Sequence, residues 1–181
     1  LTSENYEICL PEFSKDAIIF DLESALSYKL IQKKMEKAHV YELDKLRNEL
    51  KQNEIQWKAR FDHLPHNSVY LYEQVCVRSL VMSRIEMKPY FDRLIHSLID
   101  QKLIDAAKTT LEISEAFNDA EKNKIVAEIE WAQNNSESAL NLIEKQIKID
   151  GNPELLLLAG NWLVSLNRIN EAKEMVQMAV P

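Results

Sequence analysis

The residues that could do chemistry are few and scattered. His63-Leu64-Pro65-His66 sets two imidazoles three residues apart, a spacing that could begin a metal site. Zinc takes three or four ligands, no Cys or third His stands nearby, and Pro65 disfavours helix at the residue before it. The pair therefore reads as a helix end. Asp92-Arg93 looks like a fragment of a phosphoryl-transfer catalytic loop, yet Leu94 follows and no Asn or metal-binding Asp is placed to assist; it reads as helix surface. Lys29, Lys33, Lys34 and Lys37 fall on one side of a helix and could meet a phosphate or an acidic partner, though Glu23 and Glu36 beside them favour a solvated face. Asn134-Asn135-Ser136 matches a glycosylation acceptor and is better read as a capped turn. GxGxxG, GxxxxGK with Ser or Thr, HExxH and CxxC are all absent. The expectation is a chain with no catalytic, cofactor-binding or metal-ligating residue.

Composition narrows the class. The chain has 181 residues, 2 Gly and 5 Pro. Gly averages about 7% in ordinary proteins, so hairpin turns and Gly-rich phosphate loops are disfavoured and helix is expected nearly throughout. Net charge is −7. Residues 1–90 hold 13 basic and 14 acidic side chains, and residues 91–181 hold 9 and 15. The acidic second half disfavours non-specific nucleic-acid binding, which needs clustered Lys and Arg. The two cysteines, Cys9 and Cys76, show no metal spacing and suit a reduced, intracellular setting. No apolar run approaches the roughly 20 residues of a membrane span, and no signal peptide is visible. A start at Leu1 rather than Met suits a piece cut from a larger protein.

The elements follow from periodicity. Leu1–Lys15, with Pro11, reads as a loop or short helix, and Asp16 as the cap of the next. Ile18, Ile19, Leu22, Leu26, Leu30 and Ile31 form an apolar stripe. Leu43, Leu50, Trp57 and Leu64 are spaced by sevens, with Leu46 and Phe61 beside them. The spacing predicts two long helices paired antiparallel, broken near Ala38–Tyr41; Asn53 and Arg60 interrupt the heptads, so a hairpin is favoured over a free coiled coil. Asn67 or Ser68 caps a helix over Val69–Met87, apolar on most faces through Leu71, Val75, Cys76, Leu80, Val81, Met82 and Ile85, hence buried between neighbours; Lys88-Pro89 ends it. Tyr90–Gln101 and Leu103–Ala116 make a hairpin turning at Asp100–Lys102. Asn118 or Asp119, with Glu121, supplies a capping box.

From there the chain repeats. Helices over Lys122–Gln133 and Glu137–Ile149 are followed by helices over Glu154–Leu166 and Ile169–Val180, the third opened by Asn152-Pro153. An offset of 33 lays Ala127 on Gly160, Ala139 on Ala172, Ile143 on Val176 and Val126 on Ala159. A fainter copy holds Ile95, Ala107 and Leu111 about 32 residues upstream. A period near 33 with small residues at fixed places marks stacked helical hairpins of the tetratricopeptide type. The small residues, Ala127 facing Ala139 and Gly160 facing Ala172, let two helices approach closely. Trp131, Ile143, Trp162 and Val176 complete the expected packing set, with core packing preferred to ligand stacking for both Trp. The fold expected is all-α: antiparallel helical hairpins stacked as a tetratricopeptide-like solenoid, with residues 1–66 a long hairpin preceding repeats over 67–181.

One stretch carries a finer likeness. Ala127–Ile143, AEIEWAQNNSESALNLI, resembles the FAT region of phosphatidylinositol 3-kinase-related protein kinases, with a helix ending in Trp-Ala, a short polar turn and an Ala-Leu helix start. Gly160-Asn161-Trp162-Leu163 is similar to that region in the ATM branch, and Leu94–Ala107 also fits. The likeness covers residues 57–180 and rests on packing motifs, so it transfers no catalytic residue. It implies a non-catalytic scaffold that wraps and regulates a serine/threonine kinase domain lying C-terminal to this chain. It implies dimer contacts in the parent, a nuclear location, a role in DNA-damage signalling, DNA repair and telomere upkeep, and ATP and Mg as the parent's cofactors. Its partners would be its own kinase domain and neighbouring helical repeats, with no direct nucleic acid and no membrane. The competing reading is an independent tetratricopeptide-type adaptor binding a protein partner.

Overall fold

The structure, a computed structural model, describes residues 3–64 and 66–179, with side chains from Lys15 onward. Pro65, Val180 and the Cys9 side chain lie outside the described residues. Among the described residues there are nine α-helices and no strand: α1 (Ser3–Met35), α2 (Val40–Asp62), α3 (Ser68–Ser79), α4 (Arg84–Asp100), α5 (Ile104–Ser114), α6 (Asp119–Ala132), α7 (Ser136–Asp150), α8 (Pro153–Ser165) and α9 (Ile169–Ala179). They divide into two compact units, Leu1–Ser97 and Leu98–Pro181. The division expected at residue 66 falls between α2 and α3, inside the first unit.

The first unit corrects three expectations. α1 begins at Ser3, where a loop or short helix was expected, and passes through Pro11 and Asp16 without a cap. A single Pro removes one backbone bond, and the helix continues across it. Its buried face is also different. Asp21, Ala25, Tyr28 and Ile31 turn inward, whereas Ile19, Leu22, Leu26 and Leu30 are exposed. The third correction concerns the helix expected over Val69–Met87, which is two helices. α3 ends at Ser79, and α4 starts at Arg84 because Ser83 and Glu86 form a capping box: the Ser83 N–H donates to Glu86 Oε2 at 2.7 Å, and the Glu86 N–H to Ser83 Oγ at 3.4 Å. Ser-x-x-Glu is the sequence signature of such a start. Pro89 therefore lies inside α4, held there by buried Met87 and Tyr90 on either side. Leu80, Ile85 and Cys76, expected in the core, are exposed. The heptad face of α2 is as the spacing predicts: Trp57 and Phe61 are buried, with Leu43, Leu46 and Leu50 half-buried.

At the centre of this unit sits a charge. Arg78 of α3 is 0% exposed. Its guanidinium pairs with Asp21 of α1, itself buried. It also donates to the Trp57 carbonyl on α2 at 3.0 Å and to Gln74 Oε1 at 3.0 Å. Its Cζ stands 4.9 Å from the Trp57 ring centroid, 4.8 Å from Phe61 and 5.0 Å from Tyr90 of α4. Phe61 and Tyr90 meet edge to face at 4.8 Å. One side chain thus touches all four helices of the unit. Burial pushes the Asp21 carboxyl above its ordinary value, against the opposing pull of Arg78, the Trp57 indole and Arg60. Burial likewise lowers Arg78, against the Asp21 charge. Arg93 of α4 closes the end of α2, donating to the Phe61 carbonyl and, at 2.7 Å, to the Leu64 carbonyl.

The second unit pairs its helices in sequence: α5 with α6, α6 with α7, α7 with α8 and α8 with α9. Asn118 caps α6 with the expected reciprocal bond to Glu121, and Asn152 caps α8. Three turns share one geometry. Lys102, Asn134 and Asn167 all have left-handed φ, at 59°, 64° and 61°. Each is flanked by the same two bonds. Lys102 and Leu103 donate to the Ile99 and Leu98 carbonyls, Asn134 and Asn135 to those of Trp131 and Glu130, and Asn167 and Arg168 to those of Val164 and Leu163. This is the Schellman helix stop, recurring with the sequence period.

Two outcomes are expected from this architecture. Arg78→Met leaves buried Asp21 with only the more distant, part-exposed Arg60 at 3.9 Å as counter-charge and should cost about 3–5 kcal/mol. Adding Asp21→Leu should restore most of that loss, since an apolar pair of similar volume can replace a buried ion pair. Urea denaturation of the two variants measures both; a single variant costing under about 1 kcal/mol would mean the pair is not the fastening point. For the turns, Lys102→Gly should stabilise by roughly 0.5–1 kcal/mol, because only Gly adopts left-handed φ without a Cβ penalty. Lys102→Val should destabilise in the same melts.

Candidate functional site

Among the described residues the expected packing set of the second unit is placed as follows. Ala127, Ala139 and Ile143 are completely buried, and with Ala172, Trp162, Leu140, Leu155, Ala159 and Leu163 they make one continuous apolar cluster. A small residue stands where α8 comes closest to α9. Gly160 on α8 faces α9 so closely that a Cβ there would lie 3.1 Å from Val176 Cγ2 and 3.7 Å from the Ala172 carbonyl oxygen. Close packing of this kind leaves no room for a larger side chain. Ile95, Ala107 and Leu111 of the faint upstream copy are likewise buried.

The two Trp of the set come together. Trp131 of α6 and Trp162 of α8 stack with ring centroids 4.7 Å apart and planes within 3°. Trp162 is buried and Trp131 half-buried. The stack links two helices that are not neighbours in sequence. Two members depart from strict repetition. Val176 is 41% exposed although Ile143, its equivalent, is buried, and Val126 is partly exposed although Ala159, its equivalent, is buried. Polar ties join other helices of the unit: Lys108 Nζ of α5 to Gln133 Oε1 at the end of α6 at 3.2 Å, Asn123 Nδ2 of α6 to Gln146 Oε1 of α7 at 3.0 Å, and Arg168, at the start of α9, to Glu137 of α7 at 3.1 Å. Arg168 follows the left-handed Asn167 and also binds Glu171, whose carboxyl it holds below its ordinary value.

The scattered polar residues are placed singly. His63 closes α2 by donating from Nδ1 to the Ala59 carbonyl at 2.6 Å. Among the described residues no group of three or more His, Cys, Asp or Glu could hold a metal ion, and no helix is long and apolar enough to cross a membrane. Asp92 stands beside His96 at 3.6 Å, while Arg93, read from sequence as surface, is half-buried at the end of α2. Lys29, Lys33, Lys34 and Lys37 are exposed. The residues sequence reasoning missed are Asp21, Gln74 and Arg78. A lone Arg inside an apolar helix, seven residues after Leu71 and three after Val75, was the available signal.

The repeat register has a direct test. Ala139→Leu should destabilise by roughly 1–3 kcal/mol through overpacking. Ser138→Leu, one residue along and exposed, should stay within about 0.5 kcal/mol of the parent. Equal damage from the two in urea melts would refute the alignment.

No protein-family model matches this chain, and no curated protein matches it.

Proposed function

We propose that this chain is a non-catalytic scaffold segment of a large ATM-like serine/threonine protein kinase of the DNA-damage response, acting in the nucleus. In this reading the hairpins stack as a tetratricopeptide-like solenoid against further repeats and against the kinase domain, contributing dimer contacts, and the parent's ATP and Mg are bound elsewhere. The observation that carries the reading is the 32- to 33-residue recurrence of one turn geometry at Lys102, Asn134 and Asn167. It coincides with buried small residues at Ala107, Ala139 and Ala172 and with the Trp-Ala motif on which the resemblance rests. A repeated unit that buries its face only against its neighbours builds an extended support. Such a support transmits position, and its residues act on catalysis only by placing other groups.

An antibody against the chain supplies the experiment. The protein it precipitates from the source cells should be far longer than 181 residues and should phosphorylate Ser or Thr in a peptide substrate. Ala139→Leu in that full-length protein should lower the kinase output several-fold while every catalytic residue stays intact. The isolated chain should show no heat of binding with Mg-ATP. A precipitated protein without kinase activity that captures peptides instead would support the adaptor reading and overturn this one.

A further inference from the structure

α1 carries an apolar stripe that its own unit leaves uncovered. Leu22, Leu26 and Leu30 are between 47% and 62% exposed, and with Lys33 they lie within about 80° of helix rotation. Such a face is ordinarily enclosed by a neighbour. The stripe runs into an open groove of about 570 Å³ between the end of α1 and the start of α2. Leu30, Ala38 and Leu46 line it, and so do Lys33, Lys34, Lys37 and Lys45.

The charges say what fits. All four Lys are exposed, and none forms an ion pair among the described residues. Glu42 and Glu49 share the groove, but Glu42 is engaged in capping α2, where its Oε2 accepts the His39 N–H at 3.2 Å. A helix C-terminus favours cations, which accounts for Lys33 and Lys34 in the last turn of α1. It does not account for Lys45, which the second turn of α2 brings to the same groove. Two helices thus converge unpaired cations on one concavity, in a chain whose net charge is −7. A small anion would leave the leucines bare. A flat anionic membrane would not enter the groove and would meet Glu42 and Glu49 at its edge. A helix with carboxylates at one end and an apolar ridge along the rest satisfies both parts of the surface.

We propose that this surface binds an acidic amphipathic helix of a partner protein, about four turns long, with its carboxylates among the Lys cluster and its ridge on Leu22, Leu26 and Leu30. The acidic end is the partner's N-terminus, where carboxylates are favoured; that direction runs antiparallel to α1 and opposes the two helix dipoles. The inference is independent of the scaffold role, since the groove lies before residue 57, where the resemblance begins. Fluorescence anisotropy of the whole chain with a labelled peptide of about 16 residues tests it. The peptide is Glu-rich in its N-terminal half and carries Leu at every third or fourth position after that. It should bind with a dissociation constant on the order of micromolar, more weakly at high salt. Lys33→Glu with Lys37→Glu should weaken binding at least about tenfold, and Lys45→Glu several-fold. Leu26→Asp should weaken it as much as the double reversal. The same peptide with Lys in place of Glu should ignore the parent chain and bind the doubly reversed one. Circular dichroism checks that every variant is folded. A folded chain that leaves the Glu peptide free at every concentration overturns the proposal, whether or not it pellets with phosphatidylserine vesicles. So does binding indifferent to the Lys reversals or to Leu26→Asp, or a Lys peptide that fails to recover the reversed chain.

Discussion

Burying the Arg78 guanidinium is the constraint on which the first unit depends. Removing an ion from water costs several kcal/mol, recovered only when a counter-charge and hydrogen-bond acceptors are in place. Here they come from three directions: Asp21 on α1, the Trp57 carbonyl on α2 and Gln74 on α3 itself. The rings of Trp57, Phe61 and Tyr90 supply the remaining walls, and their π faces favour a cation. A rotation of any one helix would leave the charge partly unmet, so the ion pair sets the angular register of the bundle. It also explains the rotation of α1. Turning Asp21 inward requires Ala25 and Tyr28 to follow it, one and two turns along, and sends Ile19, Leu22, Leu26 and Leu30 to the outside. Electrostatics has overruled the larger apolar stripe.

The second unit is held by a different means. Its cluster from Ala127 to Ala172 consists of apolar and small residues, and its precision comes from the close approach at Gly160 and from repeated left-handed turns. Asn tolerates that conformation because its short polar side chain can bond locally; Lys102 adopts it without that help. The turn at Lys102 therefore carries a strain that the turns at Asn134 and Asn167 largely avoid. It belongs to the copy whose sequence resemblance is also the faintest. Fidelity of sequence and ease of backbone fall off together.

What was legible in the sequence follows from this contrast. Periodicity and caps located most helices from α5 to α9 within a few residues, since Asn118, Asn134, Asn152 and Asn167 mark the boundaries chemically. The small-residue period identified the buried positions at Ala127, Ala139, Gly160 and Ala172 because steric fit is a local property. The first unit was less readable for a physical reason. Hydrophobic counting ranks Leu22 and Leu26 above Asp21, and only the partner, 57 residues away in the chain at Arg78, reverses the ranking. The break between α3 and α4 was present in Ser83-Arg-Ile-Glu86, but Pro89 is the louder signal for a helix end. A Pro one turn into a helix forfeits a single bond, which buried neighbours on both sides outweigh.

Position within a repeat does not by itself decide burial. Ile143 and Val176 occupy the same place 33 residues apart, and only Ile143 lies in the cluster that α8 closes. Leu140, buried on α7, corresponds to exposed Lys173 on α9. The outer face of α9 is thus more polar than the same face of α7, while Ile169 and Val176 keep it partly apolar. A helix face need be only as apolar as the neighbour it packs on requires. The mixed character of α9 makes it the more polar flank of the unit. It places the firmest packing in the interior of the unit, around Ala139, Ile143 and the Trp131–Trp162 stack, where a change in volume would be felt by three helices at once.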